Sequence, residues 1–134
     1  MKELFYLDED LIIKLNKDAI KLFGVKKGDK HELLSFRKLS KAVNDYESFE
    51  GDFYDKAVML LKGIVKAHAF ASANRRTAFL AVTYFANRNK QKVFIDDNPH
   101  NSKIMIGIRE NYYTDKELKE WIENGKKIKE FKRY

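Results

Sequence analysis

From residue 57 the chain places apolar residues at i, i+3, i+4, i+7 and i+8: Ala57, Leu60, Leu61, Ile64 and Val65. A stripe of that period is buried along one side of an α-helix. A second run follows after a short polar break. Residues 78–86, AFLAVTYFA, are apolar almost all round, which suits a helix at the centre of a core. Two such helices in tandem leave a helical core to complete rather than a sheet to cover.

The flanking patterns agree. ELFYL, residues 3–7, reads as a short strand or an extended lead-in. Asp8 is placed to cap a first helix, with Glu9 and Asp10 in its first turn. Leu11, Leu15, Ala19 and Leu22 follow at helical spacing, and Gly24 is the expected stop before a VKKGDK loop. A second helix is expected from about His31, with Phe36, Leu39, Val43 and Tyr46 on one face. NDYESFEGDFY, residues 44–54, interleaves aromatic and acidic residues around Gly51. A short hairpin or flap fits it as well as a plain loop, with Asp52 capping the third helix. KVFI, residues 92–95, reads as a short extended piece, and Pro99 suits the first turn of a fifth helix. Thr114 and Glu117 form a capping-box pattern for a sixth, whose Leu118, Trp121 and Ile122 face inward, with Ile128 beyond. The expectation is an all-α, compact bundle of about six helices, with at most a short β-hairpin flap.

Composition sets the outer bounds. A chain of 134 residues with 44% hydrophobic content suits a single domain over residues 1–134. No apolar run approaches the roughly 20 residues of a membrane span. The acidic, patterned start MKELFYLDEDL is unlike a signal peptide, so a cytoplasmic protein is expected. The absence of cysteine excludes disulfides, thiolate catalysis and cysteine-ligated zinc. The net charge is +7, and much of the surplus lies in Lys126, Lys127, Lys129, Lys132 and Arg133. A solvated helix end complementing its own dipole accounts for that cluster more simply than nucleic-acid binding does.

The polar break between the two apolar helices holds the chemistry. It reads HAFASANRRTA from His68. Continuing the stripe of the third helix to i+11 puts His68 on it, at the C-terminal end. Asn74 is a favourable N-cap for a fourth helix starting at Arg75. A helix N-terminus presents unpaired N–H groups and partial positive charge, which suits phosphate. Arg75 and Arg76 add guanidinium groups whose fork geometry matches phosphate oxygens. Small Ala71, Ser72 and Ala73 let a ligand approach the backbone. His68 supplies a general base of the ordinary kind near neutral pH. Singly, these residues have plain structural readings: a core histidine, Phe70 as a core anchor, Asn74 as a cap, two solvated arginines.

Together they resemble the signature of the Fic/Doc (Fido) family, H-x-F-x-[D/E]-[G/A]-N-[G/K]-R, which His68, Phe70, Ala73, Asn74 and Arg76 match. The Doc (death-on-curing) branch is nearest, since its sequences read N-K-R-T-A where this chain has Asn74-Arg75-Arg76-Thr77-Ala78. The chain has Phe79 where Fic enzymes carry a further arginine. LIIKLNKDAIKLFG, AVMLLKGIVKAHAF and AFLAVTYFANRNKQKVFIDD also resemble Doc segments. The resemblance implies a helical Fido bundle in which His68 deprotonates a target hydroxyl and Asn74 positions phosphate. It implies that Arg75 and Arg76 bind the phosphates of ATP with amides of Ser72 and Ala73, that Phe70 and Thr77 are structural motif residues, and that residues 44–54 are a flap aligning the target. It further implies a toxin that transfers the γ-phosphoryl group to a hydroxyl of elongation factor Tu and is restrained by a Phd-like antitoxin in trans. AMP transfer is the alternative on the same scaffold. Two departures stand out. Ser72 occupies the acidic position that holds Mg²⁺ in the family, so either phosphate oxygens hold the metal, or Arg75 partly substitutes for its charge, or catalysis is impaired. F-G-V-K-K-G replaces a G-G-x-x-G loop after the first helix.

Overall fold

The computed structural model describes residues 3–22, 31–95 and 99–132, and Gly24 with the loop after it lies outside them. Six α-helices occur among these residues: α1 (Glu9–Leu22), α2 (Phe36–Ser48), α3 (Phe53–Ala67), α4 (Asn74–Arg88), α5 (Pro99–Arg109) and α6 (Asp115–Asn124). The all-α expectation holds. None of these helices is long and apolar enough to cross a membrane.

The striped helix α3 is the hub. It packs against α2, α4, α5 and α6, and α4 also packs against α1. Ala57, Leu60, Leu61, Ile64 and Val65 are all buried, as their period requires. From α4 come Ala78, Ala81, Val82, Phe85 and Ala86. An aromatic group locks the far end of this core. Phe85 stacks on Phe53 at 4.6 Å and meets Tyr46 edge-on at 5.4 Å. Residues 3–7 form the extended lead-in and no strand. The N–H of Leu7 donates to the buried Tyr46 Oη at 2.6 Å, and burial pushes that hydroxyl's pKa up.

The helix starts follow their chemistry. Asp8 Oδ1 accepts from the N–H of Leu11 at 2.9 Å. Thr114 and Glu117 form both halves of a capping box at 3.1 and 2.9 Å. Asp52 and Asp55 do the same for α3, both at 2.9 Å. Gly125, at φ +67°, ends α6 in the left-handed conformation that glycine adopts without strain.

Several expectations are corrected. The buried stripe of α1 is Ile12, Leu15, Asn16 and Ala19, while Leu22 is exposed. Helix α2 begins at Phe36, capped by Ser35, and not near His31. Phe36 is itself exposed. Residues 44–54 form no hairpin. Helix α2 continues to Ser48, helped by an exposed Lys41–Asp45 pair, and residues 49–52 are a short link into α3. Gly51 is required in that link, since a Cβ there would lie 2.6 Å from the Asp55 carboxylate. The strand-like pairing occurs elsewhere, as an isolated antiparallel bridge between Leu33 and Phe70.

Candidate functional site

Helix α3 stops at Ala67 because His68 enters the left-handed region, at φ 48° and ψ 47°. That turn swings the imidazole off the stripe and leaves it exposed, so His68 is not the buried residue that helical extrapolation implies. A non-glycine residue in this region is uncommon, and the packing of its neighbours holds it there. Ala69 and Phe70 follow it and are buried, with Phe70 fully inside the core.

The loop is then strapped from two sides. On one side runs the segment before α2. Ala69 C=O accepts from the N–H groups of Leu34 and Ser35 at 2.7 and 3.2 Å, and the N–H of Ala71 donates to Glu32 C=O at 2.9 Å. On the other side is the Asn74 side chain. Its Oδ1 accepts from the N–H of Phe70 at 3.1 Å, and its Nδ2 donates to the carbonyl of Phe70 at 2.8 Å. This buried amide closes the loop on itself. Asn74 is therefore the first residue of α4 and not its cap. Nδ2 also lies 3.4 Å from His68 Nδ1, near the outer limit of a hydrogen bond. That contact brings His68 over the loop.

The N-cap of α4 is Ala73, also left-handed at φ 62°, and it offers no side-chain cap. The first turn holds no acidic residue. It holds Arg75 and Arg76, both exposed. The terminus thus presents its N–H groups together with two guanidinium groups, beside an exposed imidazole. Such a constellation attracts a multiply charged anion, phosphate above all. Thr77 is buried, and its hydroxyl donates to Ala73 C=O at 2.7 Å. Ser72 and Ala73 are half-buried between these straps.

The donor set does not fit a resident metal. Among the described residues no group of three His, Asp or Glu side chains converges to hold one. The loop offers the neutral Ser72 hydroxyl, a much weaker ligand for a hard divalent cation than a carboxylate. Beyond the first turn of α4, Phe79 and Thr83 line a groove of about 450 Å³ that extends to Lys90 and Lys92. Apolar surface, not a further cation, stands at position 79.

Two participants were not visible in the pattern: Asn16 of α1 and His31 before α2. Asn16 is completely buried, and its Nδ2 donates to the carbonyl of Ser72 at 2.9 Å. The signal for it was an amide lying at i+4 from Ile12 and i−3 from Ala19, on the buried side of α1.

No curated protein matches the chain closely enough to count as a relative. The model of the Fic/DOC family matches residues 6–86, more than half of the chain. That span contains α1, α2, α3, nearly all of α4, and the whole loop between His68 and Arg76.

Proposed function

This chain belongs to the Fic/DOC family of Fido-domain transferases, and on that premise we propose that it moves the γ-phosphoryl group of ATP onto a protein hydroxyl. The observation that carries this reading is the α4 terminus. It has no acidic residue, no side-chain cap, two arginines, and His68 exposed beside it. ATP enters as its Mg²⁺ complex. The α4 amides, Ser72 and Ala73 N–H groups, Arg75 and Arg76 hold its phosphates. Asn74 acts from behind, by shaping the loop through Phe70. A target hydroxyl oxygen attacks Pγ, the bond from Pγ to the β–γ bridging oxygen breaks, and ADP leaves. A neutral imidazole has one nitrogen free to take the hydroxyl proton. His68 is that acceptor, and its exposure lets it pass the proton to water.

A cation at position 75, together with Phe79 in place of a further arginine, supports the Doc-like orientation over AMP transfer. The target class is elongation factor Tu, in the cytoplasm, with a Phd-like antitoxin as the restraint. One observation favours a second reading, a Fido domain that binds nucleotide with little turnover: Ser72 adds no charge where the family holds its metal.

Label transfer decides between them. Purified protein is given elongation factor Tu or a cell extract with ATP labelled at the α or the γ phosphate. Protein-bound γ label is expected, falling at least about a hundredfold in His68→Ala. Bound α label identifies AMP transfer instead. Wild type and His68→Ala equally inert overturns both enzyme readings. A gain of label in Ser72→Asp marks the serine as a loss of catalytic power.

A further inference from the structure

We propose that Asn16 is a positioning residue of the phosphate site: from α1 it sets the direction in which the loop amides point. The inference rests on the phosphate-site reading above. Asn16 lies on the buried stripe of α1, where an unpaired amide would be costly. Every polar atom of it is engaged. Nδ2 donates to the carbonyl of Ser72 at 2.9 Å and to Thr77 Oγ1 at 3.0 Å. A carbonyl accepts only, so this assignment of the amide is forced. Oδ1 is left as the acceptor, and His31 Nδ1 lies 2.9 Å from it. His31 therefore donates, which ties the segment paired with the loop to the same amide. Thr77 passes the restraint on by donating to Ala73 C=O.

The consequence follows from peptide geometry. In a trans peptide the C=O and the next N–H point in opposite directions. Holding Ser72 C=O toward α1 turns the N–H of Ala73 away from α1. Holding Ala73 C=O along α4 turns the N–H of Asn74 out of the helix mouth. Ala73 in the left-handed region before helical Asn74 gives the alternation that gathers successive N–H groups into an anion-binding concavity. Asn16 thus fixes the concavity before any ligand arrives, which spares binding the cost of ordering the loop.

The test uses the full chain, inorganic tripolyphosphate as the probe, calorimetry for affinity, and thermal unfolding as the control. Wild type binds the probe. Asn16→Leu, measured well below its unfolding midpoint, binds it about tenfold more weakly. Thr77→Val, close to isosteric, weakens binding about threefold, and the double variant is no weaker than Asn16→Leu, because the two act through one network. A folded Asn16→Leu with a lowered midpoint but affinity within about twofold of wild type overturns the proposal, since Asn16 then only packs α1 against α4. Should Asn16→Leu not fold, Thr77→Val decides by the same criterion. A wild type that does not bind tripolyphosphate sinks the phosphate-site reading itself and this inference with it.

Discussion

The N-termini of α1, α2, α3, α4 and α6 are of two kinds. Those of α3 and α6 are closed by the chain's own carboxylates. Asp52 with Asp55, and Glu117 with Thr114, satisfy the first amides reciprocally, and Asp115 adds charge of the right sign. Helices α1 and α2 use Asp8 and Ser35 to the same end. Helix α4 does the opposite. Its cap is an alanine in the left-handed region, and two arginines stand where the dipole favours acids. The same chain builds well-satisfied termini four times, so the fifth is not a failure of local chemistry. The closed termini contribute stability. The open one gives up stability and leaves room for an anion from outside.

The sharpest way to break that contrast is to close α4 artificially. Arg75→Glu puts an acid in the first turn, as in α6. ATP affinity falls about a hundredfold, since a charge-assisted phosphate contact is replaced by repulsion. Without ligand the same variant is more stable than wild type by about 1 kcal/mol, because an acid replaces a cation at the positive end of the dipole. Calorimetry with ATP and thermal unfolding without it measure the two effects. Loss of both affinity and stability would mean that Arg75 belongs to the fold and not to a ligand site.

Opening a closed terminus is the reciprocal experiment. Thr114→Ala removes the hydroxyl that accepts from the N–H of Glu117 at 3.1 Å. It costs about 1 kcal/mol by denaturant unfolding. ATP affinity stays at the wild-type value, because the packing partner of α6 is α3. A change in affinity would show that the two kinds of terminus are coupled.

What could be read from the chain divides along similar lines. Helices α3 and α6 were legible because the period of their apolar residues and their cap residues are local facts, and α4 because its apolar run is one. So was the grouping of His68, Asn74, Arg75 and Arg76, which needs only sequence proximity. The orientation of those groups was not. His68 leaves the stripe through a left-handed turn that no glycine announces. Ala73 makes a second such turn, which moves Asn74 from the cap position into the helix and turns its amide back to Phe70. These conformations are held by contacts with residues 31–35 and with α1, far away in sequence. Asn16 illustrates the limit. Its position on the buried side of α1 was available from periodicity, but its partners at residues 72 and 77 were not. The stretch at 44–54 failed for the reverse reason: Gly51 reads as a hairpin turn, yet it serves to let the chain pass the Asp55 carboxylate.

The smallest predicted effect concerns what closes α3. Burial alone would push the Asp52 carboxyl up. The N–H of Asp55 and the Lys119 ammonium, 3.2 Å away on α6, outweigh it and hold the pKa below the ordinary 3.8. Lys119 is pushed up in turn, chiefly by Asp55 at 3.0 Å and then by Asp52. A carboxyl whose folded pKa lies below its unfolded one contributes stability in full above the unfolded value. That contribution is lost as pH falls through the folded value. The Lys119 contribution has the opposite sense, present below its ordinary 10.5 and lost only as pH rises past the folded value. Asp52→Asn therefore unfolds at a lower temperature than wild type near neutral pH, and the two midpoints converge as pH drops below 3.8. The Asp52 side chain is 58% exposed, so water screens the pair and the gap is smaller than that from Thr114→Ala. Thermal unfolding of both proteins across the acid range measures it. A gap that persists unchanged at the acid end would assign Asp52 a purely steric part in the link between α2 and α3, and the closure of α3 would then not depend on charge.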